Sequence, residues 1–187
     1  CEGVLNQRQG RYINVWTFMA NACVDTPLQG CAAIKVMADR VQKRIAHKII
    51  PTPDIFVDPA EGSEPNNWFQ REPLDESTAL ETWPKAKKAI LGADAYEWWD
   101  QPTAQRLRAT KMIEVQYAWR LPFGPDEPGT WCAVIGGECV ETGPWAAPMP
   151  PIVFVIWEPH RDGVWGAGII DEGGTLALDA GDLDLRL

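Results

Sequence analysis

The first half of the chain carries apolar residues at helical spacing. In residues 29–50 they are Ala33, Val36, Met37, Val41, Ile45 and Ile49, which fall on one face of a helix. The charged residues on the other face are Lys35, Asp39, Arg40, Lys43, Arg44 and Lys48. This pattern predicts one amphipathic helix, which Pro51 and Pro53 would end.

Residues 51–76 are rich in proline and acidic residues, which predicts a long loop with one short strand at 54–58. A second helix is predicted over 79–91, because its apolar pattern stops at Gly92. Its start is left open between two signals. Thr78 with Glu81 matches a capping box, and Thr82 followed by Pro84 is an alternative. Residues 93–109 are typical of one or two short helices.

In the second half the period changes to two. Over 110–121, apolar and aromatic residues alternate with mostly polar ones, which predicts a strand. A second strand is predicted at 130–135, and it would be followed by Gly136 and Gly137. Residues 141–151 are predicted to be a loop.

The continuous apolar run at 151–158 predicts a central strand that is buried on both faces. Residues 160–163 form a predicted hairpin turn, and 164–171 the returning strand. The last residues alternate at Leu183, Leu185 and Leu187, so they could add an edge strand here or on a neighbouring subunit.

Helices followed by strands predict an α+β fold, with N-terminal helices packed on a mainly antiparallel C-terminal sheet. Sixteen prolines and sixteen glycines indicate that the fold is loop-rich. The expected organisation is a polar tether at 1–10 and a single domain at 11–187, with a possible internal boundary near residue 110.

Charge and composition exclude several classes of partner. The net charge of −9 argues against nucleic acid and against electrostatic binding to an anionic membrane. No run of about 18 apolar residues is present, so no segment is expected to span a bilayer. With 45% apolar residues, the chain can form a core without a structural metal.

Four of the five cysteines form two local pairs, Cys23 with Cys31 and Cys132 with Cys139. Each pair encloses turn-forming residues, so two disulfides are predicted, and disulfides indicate an oxidising compartment. Free thiols are the first alternative. Structural zinc is the second, although the spacing is wider than zinc sites usually have.

Cys1 is left without a partner, and its context resembles the N-terminus of a mature bacterial lipoprotein. That resemblance implies an acylated cysteine, followed by the polar tether, and a location in the cell envelope or outside the cell. Membrane contact would then occur only through the lipid. The alternative is that the sequence begins inside a longer chain.

No stretch of the sequence matches a catalytic motif. The two histidines, His47 and His160, are not joined by any pattern to a nucleophile, and there is no nucleophile elbow, P-loop or dinucleotide fingerprint. No catalytic residue, metal ligand or cofactor is therefore predicted, and the expected role is non-enzymatic.

The chain contains ten tryptophans, and this residue type is common at interfaces. Tyr96, Trp98, Trp99 and Trp145 are the candidate contacts with a ligand or partner. The first hypothesis is an accessory or structural subunit of an extracytoplasmic bacterial assembly, in contact with a larger protein complex. One alternative is a glycan-binding or cell-wall-binding module that uses the clustered Trp and Tyr rings. The other is a structural protein of a virion, pilus or other filament.

Overall fold

The computed structural model describes residues 23–24, 26–39, 44–96, 111–124, 127–159 and 163–169. The chain divides into two compact units, the first formed by Cys1–Thr52 with Pro151–Leu187 and the second by Pro53–Pro150. Position 110 therefore falls inside the second unit. The predicted tether at 1–10 lies outside the described residues, and the single domain over 11–187 stays a prediction.

The described part of the chain is mainly antiparallel β-structure with a few short helices. Its strands are β1 (Cys31–Asp39), β2 (Arg44–Ile50), β3 (Ile55–Val57), β4 (Asn67–Asp75), β5 (Met112–Arg120), β6 (Gly129–Ile135), β7 (Glu138–Trp145), β8 (Ile152–Ile156), β9 (Glu158–Pro159) and β10 (Gly166–Ala167). The helices α1 (Glu76–Thr82) and α2 (Lys87–Gly92) lie between β4 and β5. The expected layer of N-terminal helices is wrong, because the helices are interspersed among strands.

The first unit contains a three-stranded sheet in the order β2-β1-β8. The helix predicted over 29–50 is instead the antiparallel pair of β1 and β2. Ala32 and Ile34 on one face of β1 and Ala33 on the other are all buried, so the alternation that marks a half-exposed strand is missing. Without that alternation, the apolar spacing imitates a helix.

The apolar run at 151–158 also differs from its prediction. It contains β8, which pairs with β1 alone in the described sheet and is therefore an edge strand there. Val153 and Ile156 are 49% and 41% exposed, so the strand is not buried on both faces. The next two short strands, β9 and β10, pair antiparallel, as the predicted hairpin at 160–163 requires.

The second unit contains a five-stranded antiparallel sheet whose strands follow the chain order β3-β4-β5-β6-β7. β5 confirms the strand predicted over 110–121, and Ile113, Val115 and Trp119 are buried on the predicted side. β6 also confirms its prediction. Gly136 and Gly137 have positive φ angles of 57° and 80°, which suit the tight turn into β7.

Both α1 and α2 pack on one face of this sheet. Ala79 of α1 and Ile90 of α2 join Ile113 and Ile135 of the sheet in a cluster of buried side chains. Helix α1 begins after Asp75, whose carboxylate accepts hydrogen bonds from the amides of Ser77 and Thr78. Neither predicted start is correct, and a 3₁₀ turn beginning at Pro84 separates α1 from α2.

Two predicted loops contain long strands. β4 occupies most of the second half of 51–76, and β7 extends to Trp145 inside 141–151. Both loops are predicted because proline is unusual inside strands, yet β4 contains Pro73 and β7 contains Pro144. The two loop predictions are therefore wrong over these strands. The short strand predicted at 54–58 is confirmed as β3.

Candidate functional site

One row of residues crosses the side of the five-stranded sheet that faces away from the helices. Each strand contributes one directly paired residue, in the order Phe56, Phe69, Ala118, Cys132 and Thr142. We call the surface centred on this row the open face. Paired residues of neighbouring antiparallel strands project to the same side, so these five side chains form one continuous strip.

The two phenylalanines are the most conspicuous part of the open face. Phe56 is 50% exposed and Phe69 is 48% exposed, although the outer face of such a sheet usually carries polar residues. Because they are direct cross-strand partners, they form one aromatic patch rather than two isolated side chains.

Ion pairs flank the row on both sides. The Arg71 Nη1 lies 3.8 Å from the Glu114 Oε2, and the Arg120 Nη2 lies 3.7 Å from the Glu127 Oε1. Arg71 also contacts the Asp54 carboxylate, so one arginine faces two carboxylates there, whereas Arg120 and Glu127 form a simple pair. Both arginines beside the aromatic patch are therefore paired with carboxylates.

A buried polar cluster anchors the β3 side of the open face. The carboxylate of Asp54, which is 1% exposed, accepts two hydrogen bonds. The Nε of Arg71 donates one over 2.7 Å, and the hydroxyl of Tyr96 donates the other over 2.6 Å. The Arg71 guanidinium also lies 5.3 Å from the centre of the Tyr96 ring. The cluster thus joins the start of β3 to β4 and to the segment before β5.

The electrostatics of this cluster suit a structural role. Burial, followed by the hydrogen bond to Asp54, raises the pKa of Tyr96 well above its usual range. The hydroxyl therefore stays protonated at neutral pH and keeps donating to Asp54. A tyrosine held in this way is a poor general base, since its charged form is disfavoured.

The predicted contact residues lie in different environments. Tyr96 is only 5% exposed, so in this structure its ring packs and its hydroxyl bonds within the protein. Trp145 is half-buried at the end of β7, and its Nε1 donates to the Met149 carbonyl over 3.0 Å. Cys1, Trp98 and Trp99 lie outside the described residues, so their roles stay predictions.

Other tryptophans form a row on the helix-covered side of the sheet. Trp68, Trp119 and Trp131 are paired across β4, β5 and β6. Trp68 and Trp119 are 6% and 4% exposed, and Tyr117 stacks on Trp119 with 5.8 Å between ring centres. These rings contribute to packing and do not form an exposed platform for a sugar.

The structure contains the four described cysteines as free thiols. Cys31 is buried, with its Sγ 3.9 Å from the Thr52 hydroxyl oxygen, whereas Cys23 is exposed. Cys132 and Cys139 lie on the two arms of one hairpin, on the open face. The two predicted disulfides stay predictions.

Within the described ranges, no group of three or more His, Cys, Asp and Glu side chains is arranged to hold a metal ion. Nor does that part of the chain contain a helix long and apolar enough to cross a bilayer. No protein family model matches the sequence, and no curated protein matches it closely enough to indicate a relative.

Little in the sequence indicates the aromatic patch. Phe56 falls in a predicted strand, but Phe69 falls in the stretch whose prolines predict a loop. The alternation in β4 is obscured because Gln70 and Glu72 occupy its inward positions and are buried. Because polar residues occupy these inward positions, the sequence does not show which side of β4 faces solvent.

Proposed function

We propose that this chain is a non-enzymatic accessory or structural subunit that binds a larger protein complex through the open face of its second unit. The observation that supports this proposal is the half-exposed pair of Phe56 and Phe69 at one end of an apolar row. Aromatic side chains bury a large area at low entropic cost, so they are frequent anchors of protein interfaces.

The environment of the patch favours a protein partner. The cores of protein interfaces are poor in uncompensated charge, and the flanking arginines of the open face are paired with glutamates. The central residues Ala118 and Cys132 are small, so a partner's side chains could approach the sheet closely beside the phenylalanines. The proposed extracytoplasmic location, with a lipid at Cys1, rests on the sequence alone.

The test is the apparent mass of the protein in a native extract of the cells that make it. We expect the wild-type chain to elute in a complex far larger than its own 20.8 kDa. Phe69→Glu should move most of it to the position of the isolated chain, because a charge would be buried within the interface.

Leu91→Glu is the matched control, because Leu91 is 49% exposed but lies on α2, on the other side of the sheet. It should leave the elution position unchanged. Thermal unfolding of both variants checks that neither has lost its fold. The proposal fails if wild-type protein elutes as the isolated chain, or if folded Phe69→Glu protein stays in the large complex.

A further inference from the structure

The two cysteines of the open face are diagonal neighbours rather than direct partners. Cys132 of β6 lies directly opposite Thr142 of β7, and Cys139 lies directly opposite Val134. The register shifts between Ala133 and Val134, which leaves one extra residue, Val140, on β7. Cys139 is nevertheless near enough to contribute to the raised pKa of the Cys132 thiol.

We infer that Cys132 and Cys139 form a reversible thiol–disulfide exchange site, which reacts with small or peptide disulfides, rather than a permanent cross-link. The argument depends on the register. Diagonal residues in antiparallel strands have Cα atoms about 7–8 Å apart, whereas disulfides usually need about 4.4–6.8 Å. Closing this bridge requires the hairpin to distort, and strained disulfides are the ones that are readily reduced again.

The two thiols differ in a way that assigns each a step. Cys139 is exposed, and its Sγ donates to the Glu141 carbonyl, 3.4 Å away. Cys132 is half-buried, and burial raises the pKa of its thiol, with a further contribution from Cys139. Cys139 is therefore the thiol that an incoming disulfide meets first, and Cys132 is the resolving thiol.

The exchange balances without any other reactant. The Cys139 thiolate attacks one sulfur of the incoming disulfide, forms a mixed disulfide and releases the first partner thiolate. The Cys132 thiolate then attacks the Sγ of Cys139 and releases the second. The two cysteines lose two electrons and two protons, and the incoming disulfide becomes two thiols.

The surroundings of Cys139 leave room for such a molecule. On the helix side of the β7 edge, Cys139, Trp83, Pro84 and Lys85 are among the residues that line an open groove of about 410 Å³. Trp83 is fixed there by a hydrogen bond of 2.8 Å from its Nε1 to Glu141. Because Cys139 is itself exposed on β7, which is an edge strand of the sheet, a peptide or tripeptide disulfide can approach its thiol from solvent.

The test uses glutathione as the probe. Full-length protein is equilibrated in buffers of varied reduced and oxidised glutathione, its thiols are trapped by alkylation, and the disulfide fraction is measured by mass spectrometry. The control variant combines Cys139→Ser with Thr142→Cys, which places the second cysteine directly opposite Cys132. Direct partners have Cα atoms about 4.5–5.5 Å apart, which suits an unstrained bridge.

The measured quantity is the squared concentration of reduced glutathione, divided by that of oxidised glutathione, at which half of the pair is oxidised. We expect this ratio to be at least about tenfold lower for the wild-type pair than for the control variant, because a strained disulfide is more readily reduced. Cys132→Ser should accumulate a mixed disulfide on Cys139, because its resolving thiol is missing. The inference is overturned if the wild-type pair is as resistant to reduction as the control pair. It is also overturned if the wild-type pair remains reduced in oxidised glutathione, or if Cys132→Ser forms no mixed disulfide. The last two readouts do not require the control variant to fold.

Discussion

Replacing Ile90 with Ala is expected to lower the free energy of unfolding by about 2–5 kcal/mol. Ile90 is fully buried on α2, where it packs in one cluster with Ala79, Ile113 and Ile135. The change removes apolar contacts between the helix and the sheet and leaves a cavity that its neighbours fill only partly. Urea unfolding followed by tryptophan fluorescence measures the loss.

The adjacent residue supplies the matched control. Leu91 lies on the same helix but is 49% exposed, so Leu91→Ala should change the free energy of unfolding by no more than about 0.5 kcal/mol. Both variants introduce alanine into α2, so the difference between them reports mainly burial rather than helix propensity. Equal losses in the two variants would contradict the packing of α2 on the sheet.

A segment of this fold can be predicted from the sequence when its own residues show which side is buried and where the chain turns. β5 is predicted with the correct sides because Ile113 and Val115 face a buried layer while Gln116 and Arg120 face solvent. The turn after β6 is predicted because two glycines with positive φ are a local requirement of its geometry. In both cases the deciding information lies within a few residues.

β1 and β2 show the opposite situation. Residues 31–50 contain alanines, lysines and arginines, which favour helix, in an order that also fits a helical face. β1 is a strand because it pairs with β2 on one side and, on the other, with β8, about 120 residues away. A single sequence shows no sign of such a distant partner, so tertiary pairing overrides local preference.

The candidate site is out of reach of the sequence for the same reason. The aromatic patch exists only because the register of β3 with β4 pairs Phe56 with Phe69. Spacing alone predicts Cys132 and Cys139 as a local pair, but their diagonal placement depends on the shift beside Ala133. Composition shows that the chain is rich in aromatic residues, whereas register determines which of them meet at the surface.

Replacing Arg71 with Leu is expected to lower the free energy of unfolding by about 2–4 kcal/mol. The change removes the charged partner of the buried Asp54 carboxylate, which then keeps only its hydrogen bond from the Tyr96 hydroxyl. Arg71 is itself 25% exposed, so the loss should be below that of a wholly buried pair. Urea unfolding measures it. Arg120→Leu is the matched control, since its pair with Glu127 is more than 60% exposed on both sides and should be worth less than about 1 kcal/mol.

A double variant separates the charge of Asp54 from the space that Arg71 fills. Asp54→Asn keeps an oxygen that can accept from the Tyr96 hydroxyl but removes the buried negative charge. If the uncompensated charge causes the loss, then Arg71→Leu should cost at least about 1 kcal/mol less in the Asp54→Asn background than in wild-type protein. An equal cost in both backgrounds would mean that Arg71 stabilises the sheet edge by packing over the Tyr96 ring, and that its 2.7 Å contact with Asp54 contributes little.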